Sequence, residues 1–108
     1  YPIIADMERY QAFQKHMDFA AEIFDMGAYY QINAGSILGA AGWTTKRFTK
    51  IMLQSGMIHF IATDAHDMGK RPPQLKKALN WVEKKLGEQE ALQYVSGNPQ
   101  MILNNQAI

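Results

Sequence analysis

The stretch Ile58-His-Phe-Ile-Ala-Thr-Asp-Ala-His66, with Arg71-Pro-Pro73 shortly after it, is an apolar, β-rich run that ends abruptly in a carboxylate and an imidazole. Residues two apart on a strand share a side, so Asp64 and His66 can converge on one point if the extended geometry persists. An oxygen and an imidazole nitrogen together suit divalent ions such as zinc, manganese or iron. In parallel α/β architectures ligands gather at the carboxyl ends of strands, which is where this pair sits. By itself Asp-x-His is a short motif with a high chance rate, and a local turn with an Asx-type hydrogen bond competes for the same residues.

On either side of that stretch, strand-like and helix-like segments alternate. Tyr1–Ala5 and Ala28–Asn33 are short apolar runs that predict two further strands, beside Met57–Thr63. Tyr10, Phe13, Met17, Ala20 and Phe24 recur at helical spacing, with Gly27 where a C-terminal cap is expected. A second helix is predicted from Thr44 to Ser55, with Phe48, Ile51 and Met52 inward and Gly56 as its stop. Pro72 and Pro73 suit the first turn of a third, whose stripe is Leu75, Ala78, Leu79, Val82 and Leu86. Two short helices near 88–96 and 99–104 complete the chain, and the small residues 34–42 predict a loop or helical turn. Strands this apolar, alternating with helices, imply a parallel sheet covered by helices. The fold expected is α/β: a partial β/α barrel of about three parallel strands and four to five helices. Three strands and an opening Tyr1 inside the first of them suggest a single domain, residues 1–108, that forms the C-terminal portion of a larger barrel.

Composition narrows the function. At 108 residues, 47% hydrophobic and 19% charged, the chain is of a size and character to fold around one core. A formal charge of +1 argues against nucleic acid as the main partner. The absence of Cys excludes thiolate metal sites and disulfides. No apolar run approaches a membrane span, so a cytoplasmic, non-membrane protein is expected.

Several residues have plainer readings. His16 falls on the polar side of its helix and reads as solvated. His59 alternates within its strand and reads as a satisfied, partly buried histidine. Lys76, Lys77, Lys84 and Lys85 read as a solvated helix face. Trp43, Phe48 and the Met residues read as core. The glycines of 35–42 lack the Gly-Lys-Ser/Thr that a phosphate loop requires.

Taken together, Ile3-Ile-Ala-Asp-Met-Glu-Arg-Tyr10, Gln31-Ile-Asn-Ala-Gly-Ser-Ile-Leu-Gly39, Phe60-Ile-Ala-Thr-Asp-Ala-His-Asp67, Arg71-Pro-Pro73 and Asn98-Pro-Gln-Met-Ile-Leu103 give the chain a family resemblance. It resembles the C-terminal half of the bacterial tyrosine-protein phosphatases of the polymerase-and-histidinol-phosphatase (PHP) superfamily, the capsule and exopolysaccharide biosynthesis type. The resemblance implies a distorted PHP barrel and a metal-dependent hydrolase with a polynuclear site, usually holding manganese, with iron or zinc as alternatives. It implies as substrate the phosphotyrosine tail of a bacterial tyrosine kinase. By position, Asp64 and His66 match metal ligands, and Arg9 and Arg71 match arginines that bind the substrate phosphate.

Two departures bear on that carry-over. Where the family reads Ala-His-Pro-Glu-Arg, this chain has Ala5-Asp-Met-Glu-Arg9, so Asp6 stands where a metal-binding His is expected. Asp6 is a harder and shorter donor that would need the metal or backbone to move. The family's N-terminal His-x-His also has no counterpart, so the metal site is incomplete and the 108 residues alone are expected to be inactive and to self-associate. A non-catalytic degenerate PHP module that binds a phosphorylated partner is one alternative. A PHP hydrolase of a small phosphoester such as histidinol phosphate is another.

Overall fold

The computed structural model describes residues 2–63 and 73–108. Its sheet has three parallel strands in the order β1 (Ile3–Ile4), β2 (Tyr29–Asn33), β3 (Phe60–Ala62). The parallel α/β expectation is borne out. All three strands are shorter than the apolar runs that predict them, and β1 and β3 share the length of β2 between them. Ile3 and Ile4 pair with Tyr29 and Tyr30, whereas Phe60, Ile61 and Ala62 pair with Gln31, Ile32 and Asn33.

The offset leaves two backbone amides of β2 without a strand to bond, and side chains take them. Successive amides along a strand point to opposite neighbours. Tyr29 donates to the Pro2 carbonyl at 2.9 Å on the β1 side, so Asn33 faces that side too, beyond the end of β1. Its N–H donates to Glu8 Oε2 at 3.0 Å. Tyr30 faces the β3 side before β3 begins, and its N–H donates to His59 Nδ1 at 3.0 Å.

Helices cover both faces. The predicted helix over 10–24 is instead two, α1 (Gln11–Lys15) and α2 (Met17–Asp25), because His16 adopts the non-helical φ −134°, ψ 82°. Its carbonyl accepts from the Phe19 and Ala20 amides, which starts α2 afresh. Phe13 and Ala20 stay buried, but Met17 is 45% exposed and leaves the expected stripe. Phe13 meets Tyr30 edge-on at 5.4 Å, and the buried Tyr30 hydroxyl donates to the Ala20 carbonyl at 2.8 Å. Burial pushes that phenol up to about 12.

The small-residue segment forms one turn, α3 (Ala34–Ile37), followed by α4 (Trp43–Gln54). After the undescribed stretch, α5 (Pro73–Leu86) buries Ala78, Leu79 and Val82 as its stripe predicts. The C-terminal part runs through α6 (Glu88–Leu92), a π-helical turn (Gln93–Gly97) and α7 (Asn98–Leu103). The described residues therefore carry more helical segments than the four to five expected. The 3-10 turn Met7–Arg9, the break at His16, the turn of α3 and the π-helical turn account for the excess. One core joins Met7, Phe13, Tyr30, Ile32, Ile37, Met52, Leu53, Ile61, Leu79 and Val82 across the sheet and its helices. On the other face, α7 leaves an apolar groove of ≈ 400 Å³ lined by Ile3, Phe60, Ile61, Tyr94, Ile102 and Leu103.

Candidate functional site at the carboxyl edge of the sheet

Parallel pairing brings the carboxyl ends of all three strands to one edge. Asp6 follows β1 there in the left-handed conformation, φ 50°, ψ 42°. Few residues other than Gly adopt it, though Asp is among the more tolerant, and the cost is met only where the surroundings hold the turn. The surroundings are explicit. The Arg9 amide donates to the Asp6 carbonyl at 3.0 Å and closes a 3-10 turn over Met7–Arg9. Met7 and Glu8 are buried, which leaves Arg9 exposed on the rim.

Glu8 holds the turn in place. It is fully buried, with Oε2 on the Asn33 amide and Oε1 without a partner among the described residues. Its backbone carbonyl accepts from Gln14 Nε2 at 2.6 Å, and the same nitrogen reaches Thr45 Oγ1 at 3.1 Å. The first turn of α4 is thereby tied to the turn that carries Asp6 and Arg9. Asn33 in turn caps α3, its Oδ1 accepting from the Gly35 amide at 2.9 Å. A Cβ added at Gly35 would meet Asn33 Oδ1 at 3.1 Å and lie 3.8 Å from Gln74 Oε1. The start of α5 therefore reaches the same edge.

Of the five residues singled out from the sequence, Asp6 and Arg9 share one turn at this edge. Asp64, His66 and Arg71 lie outside the described residues, between Thr63, which follows β3, and Pro73, which opens α5. Among the described residues no three His, Cys, Asp or Glu side chains gather into a metal-binding group. Among the described residues the carboxylate donors at the edge are Asp6 and the unpartnered Glu8 oxygen, which suit a hard cation but by themselves are too few to hold one.

The other histidines match their plainer readings. His16 is exposed. His59 is half-buried against Phe24, Tyr29 and Phe60, with burial lowering its pKa from the usual 6.5. Its carbonyl accepts from Asn98 Nδ2 at 2.7 Å, which ties β3 to α7. Lys76, Lys77, Lys84 and Lys85 are exposed as expected. Trp43 is a correction: Phe48 is in the core, but Trp43 opens α4 and is 71% exposed. Glu8 was not legible as a site residue, because nothing in its local pattern separates it from a surface carboxylate. Its proximity to Arg9 was the one available signal.

Against known proteins, the family model described as "Capsular polysaccharide synthesis, CpsB/CapC" matches residues 1–104. The tyrosine-protein phosphatase CpsB of Streptococcus agalactiae is 36% identical over 112 residues, covering 99% of this chain and 46% of that protein. The tyrosine-protein phosphatase YwqE of Bacillus subtilis is 32% identical over 107 residues, covering 99% of this chain and 42% of that protein. In three dimensions the chain matches one from the crystal structures of YwqE from Bacillus subtilis and CpsB from Streptococcus pneumoniae, described as unique metal-dependent tyrosine phosphatases. The TM-score is 0.84 at 31% identity, over 99% of this chain and 43% of the other. The chain thus spans under half the length of these relatives. With the match running through both Asp6-to-Arg9 and the β3 end, this chain belongs to the CpsB/CapC capsular polysaccharide synthesis family.

Proposed function

We propose that this chain is the C-terminal portion of a PHP-type, metal-dependent protein-tyrosine phosphatase. It acts in the cytoplasm, and its substrate is the phosphotyrosine tail of a bacterial tyrosine kinase that controls capsule or exopolysaccharide synthesis. One observation carries the reading: the parallel register sets Asp6 and the end of β3, from which Asp64 and His66 follow in sequence, at one edge beside the exposed Arg9. Asp6, Asp64 and His66 are the residues that would hold a divalent metal, with manganese as the first choice. Bound there, the metal supplies an activated water and neutralises phosphoryl oxygens. Arg9 and Arg71 are the catalytic residues on the protein side. A planar guanidinium pairs with two phosphate oxygens at once and stabilises the charge that develops in transfer. Glu8 keeps Arg9 on the rim through the Asn33 amide.

The test uses the intact protein and a phosphotyrosine peptide, with added manganese and with chelator. Arg71→Lys should lower kcat/KM about tenfold, the loss of one charge-assisted contact, with metal content unchanged. Asp64→Ala should lower metal content itself. Equal metal loss in both variants, or turnover indifferent to chelator, overturns the assignment. The left-handed Asp6, in place of the family's His, favours a second reading: a non-catalytic module that still binds a phosphorylated partner. Intact protein that binds the peptide but neither retains manganese nor cleaves the peptide when manganese is added would establish that reading instead.

A further inference from the structure

Asn33 is the last residue of β2, the central strand, and it is 5% exposed. Tyr30 turns its ring to Phe13 and its hydroxyl to the Ala20 carbonyl of α2. Side chains alternate along a strand, so Asn33, three residues on, lies on the face away from α1 and α2. Gln31 shares that face and lines the apolar groove beside α7. Asn33 is therefore a polar side chain at the carboxyl end of a parallel strand, the position where β/α folds place their chemistry.

Two hydrogen bonds fix it there. Its N–H donates to Glu8 Oε2 at 3.0 Å, and its Oδ1 accepts from the Gly35 amide at 2.9 Å. The first joins Asn33 directly to the turn that carries Arg9, and the strand register sets it opposite Ala62, the last residue of β3. The second needs a glycine, because a Cβ at Gly35 would come within 3.1 Å of Asn33 Oδ1 and 3.3 Å of Ala40 Cβ. With Oδ1 held, the amide plane is set. Nδ2 then carries two N–H donors that have no partner among the described residues. Capping does not account for that nitrogen, since the oxygen of a Ser or an Asp caps as well. A nearly buried donor without a partner is costly, and an arriving acceptor removes the cost.

We propose that Asn33 is a substrate-binding residue, its Nδ2 donating to a phosphoryl oxygen of the phosphotyrosine held at Arg9. The inference rests on the tyrosine-phosphatase reading and adds a neutral donor to the arginines of that site. The two kinds of donor do different work. An arginine on the rim brings charge and pairs with two oxygens, at the expense of ordering a long side chain. An amide already clamped at its oxygen needs no ordering, so its N–H meets the charge that develops on the phosphoryl group without reorganisation.

The experiment titrates the intact protein with inorganic phosphate by calorimetry and assays it on a phosphotyrosine peptide with added manganese. Asn33→Ser keeps an oxygen to cap the Gly35 amide and removes the amide nitrogen. It should weaken phosphate binding and lower kcat/KM, each about tenfold, for one lost hydrogen bond to a charged group. Asn33→Asp keeps the shape and the cap but turns a carboxylate on the phosphate, and the loss in kcat/KM should reach about a hundredfold. The urea midpoint and the manganese content of Asn33→Ser should match the wild type, because the cap survives. Phosphate affinity that is absent in the wild type, or unchanged in Asn33→Ser, overturns the inference. So does a loss of affinity in Asn33→Ser accompanied by a lower urea midpoint or lost manganese, since Asn33 would then act only as a cap. If the wild type binds phosphate through Asn33 yet cleaves no phosphotyrosine peptide, the phosphatase reading fails while the Asn33 contact stands.

Discussion

Glu8 and His59 complete the hydrogen bonding of β2 at its opposite ends, one with a carboxylate and the other with an imidazole. For His59 this has a pH consequence. Its Nδ1 accepts the Tyr30 amide, so only the neutral ring fits, and burial lowers the pKa below 6.5. A base with a depressed folded pKa is protonated first in the unfolded chain. The stability it contributes is therefore whole above the unfolded value of 6.5 and is lost as the pH falls from there towards the folded pKa. The urea midpoint should fall as the pH is taken from about 7 to about 5, and His59→Gln, which keeps an acceptor but does not titrate, should fall less. A His59→Gln midpoint that tracks the wild type throughout would show that another group controls the effect. Glu8 marks the limit of a sequence reading at this scale. It stands beside Arg9 in the motif, yet its burial depends on an amide donated from β2.

At the scale of elements, the same device delivers the chain into β2 and into β3. Gly27 and Gly56 lie at φ 101° and 76°, past the ends of α2 and α4. The amides of Gly27 and Ala28 donate to Phe24 and Ile23, and those of Gly56 and Met57 donate to Leu53 and Met52. Both are Schellman caps, which satisfy carbonyls the helix leaves open. Both glycines were legible as stops, because the requirement for a left-handed residue is local. A Cβ at Gly56 would touch nothing within 4 Å. Gly56→Ala should therefore cost about 1–2 kcal/mol through backbone strain alone, with the structure otherwise intact. Denaturant unfolding gives the value, and a loss within experimental error would show that the cap tolerates a side chain. The break at His16 was not legible in this way, since the apolar spacing runs through it without interruption.

At the scale of the molecule, the described sheet has β1 and β3 as its outer strands, and neither has a further strand on its outer edge among the described residues. The apolar groove beside α7 is flanked by Ile3 and Leu103, which are 48% and 78% exposed. Unpaired edges next to exposed apolar surface favour association. The 108-residue chain alone is expected to sediment above its monomer mass of 12.3 kDa as concentration rises. A monomer at all concentrations would mean that the edges and groove are adequately covered within the chain.

The sequence by itself determined the three strands, their parallel arrangement, the stops at Gly27 and Gly56 and the stripe of α5. Each rests on periodicity or on one residue's backbone freedom, both local properties. Only the tertiary structure decided that Glu8 is buried, that His59 bonds a backbone amide and that Trp43 stands exposed beside Arg47. Those outcomes depend on where β1 ends relative to β2 and on how α4 packs against the Met7–Arg9 turn. Register and packing join residues distant in sequence, and no window along the chain contains both partners.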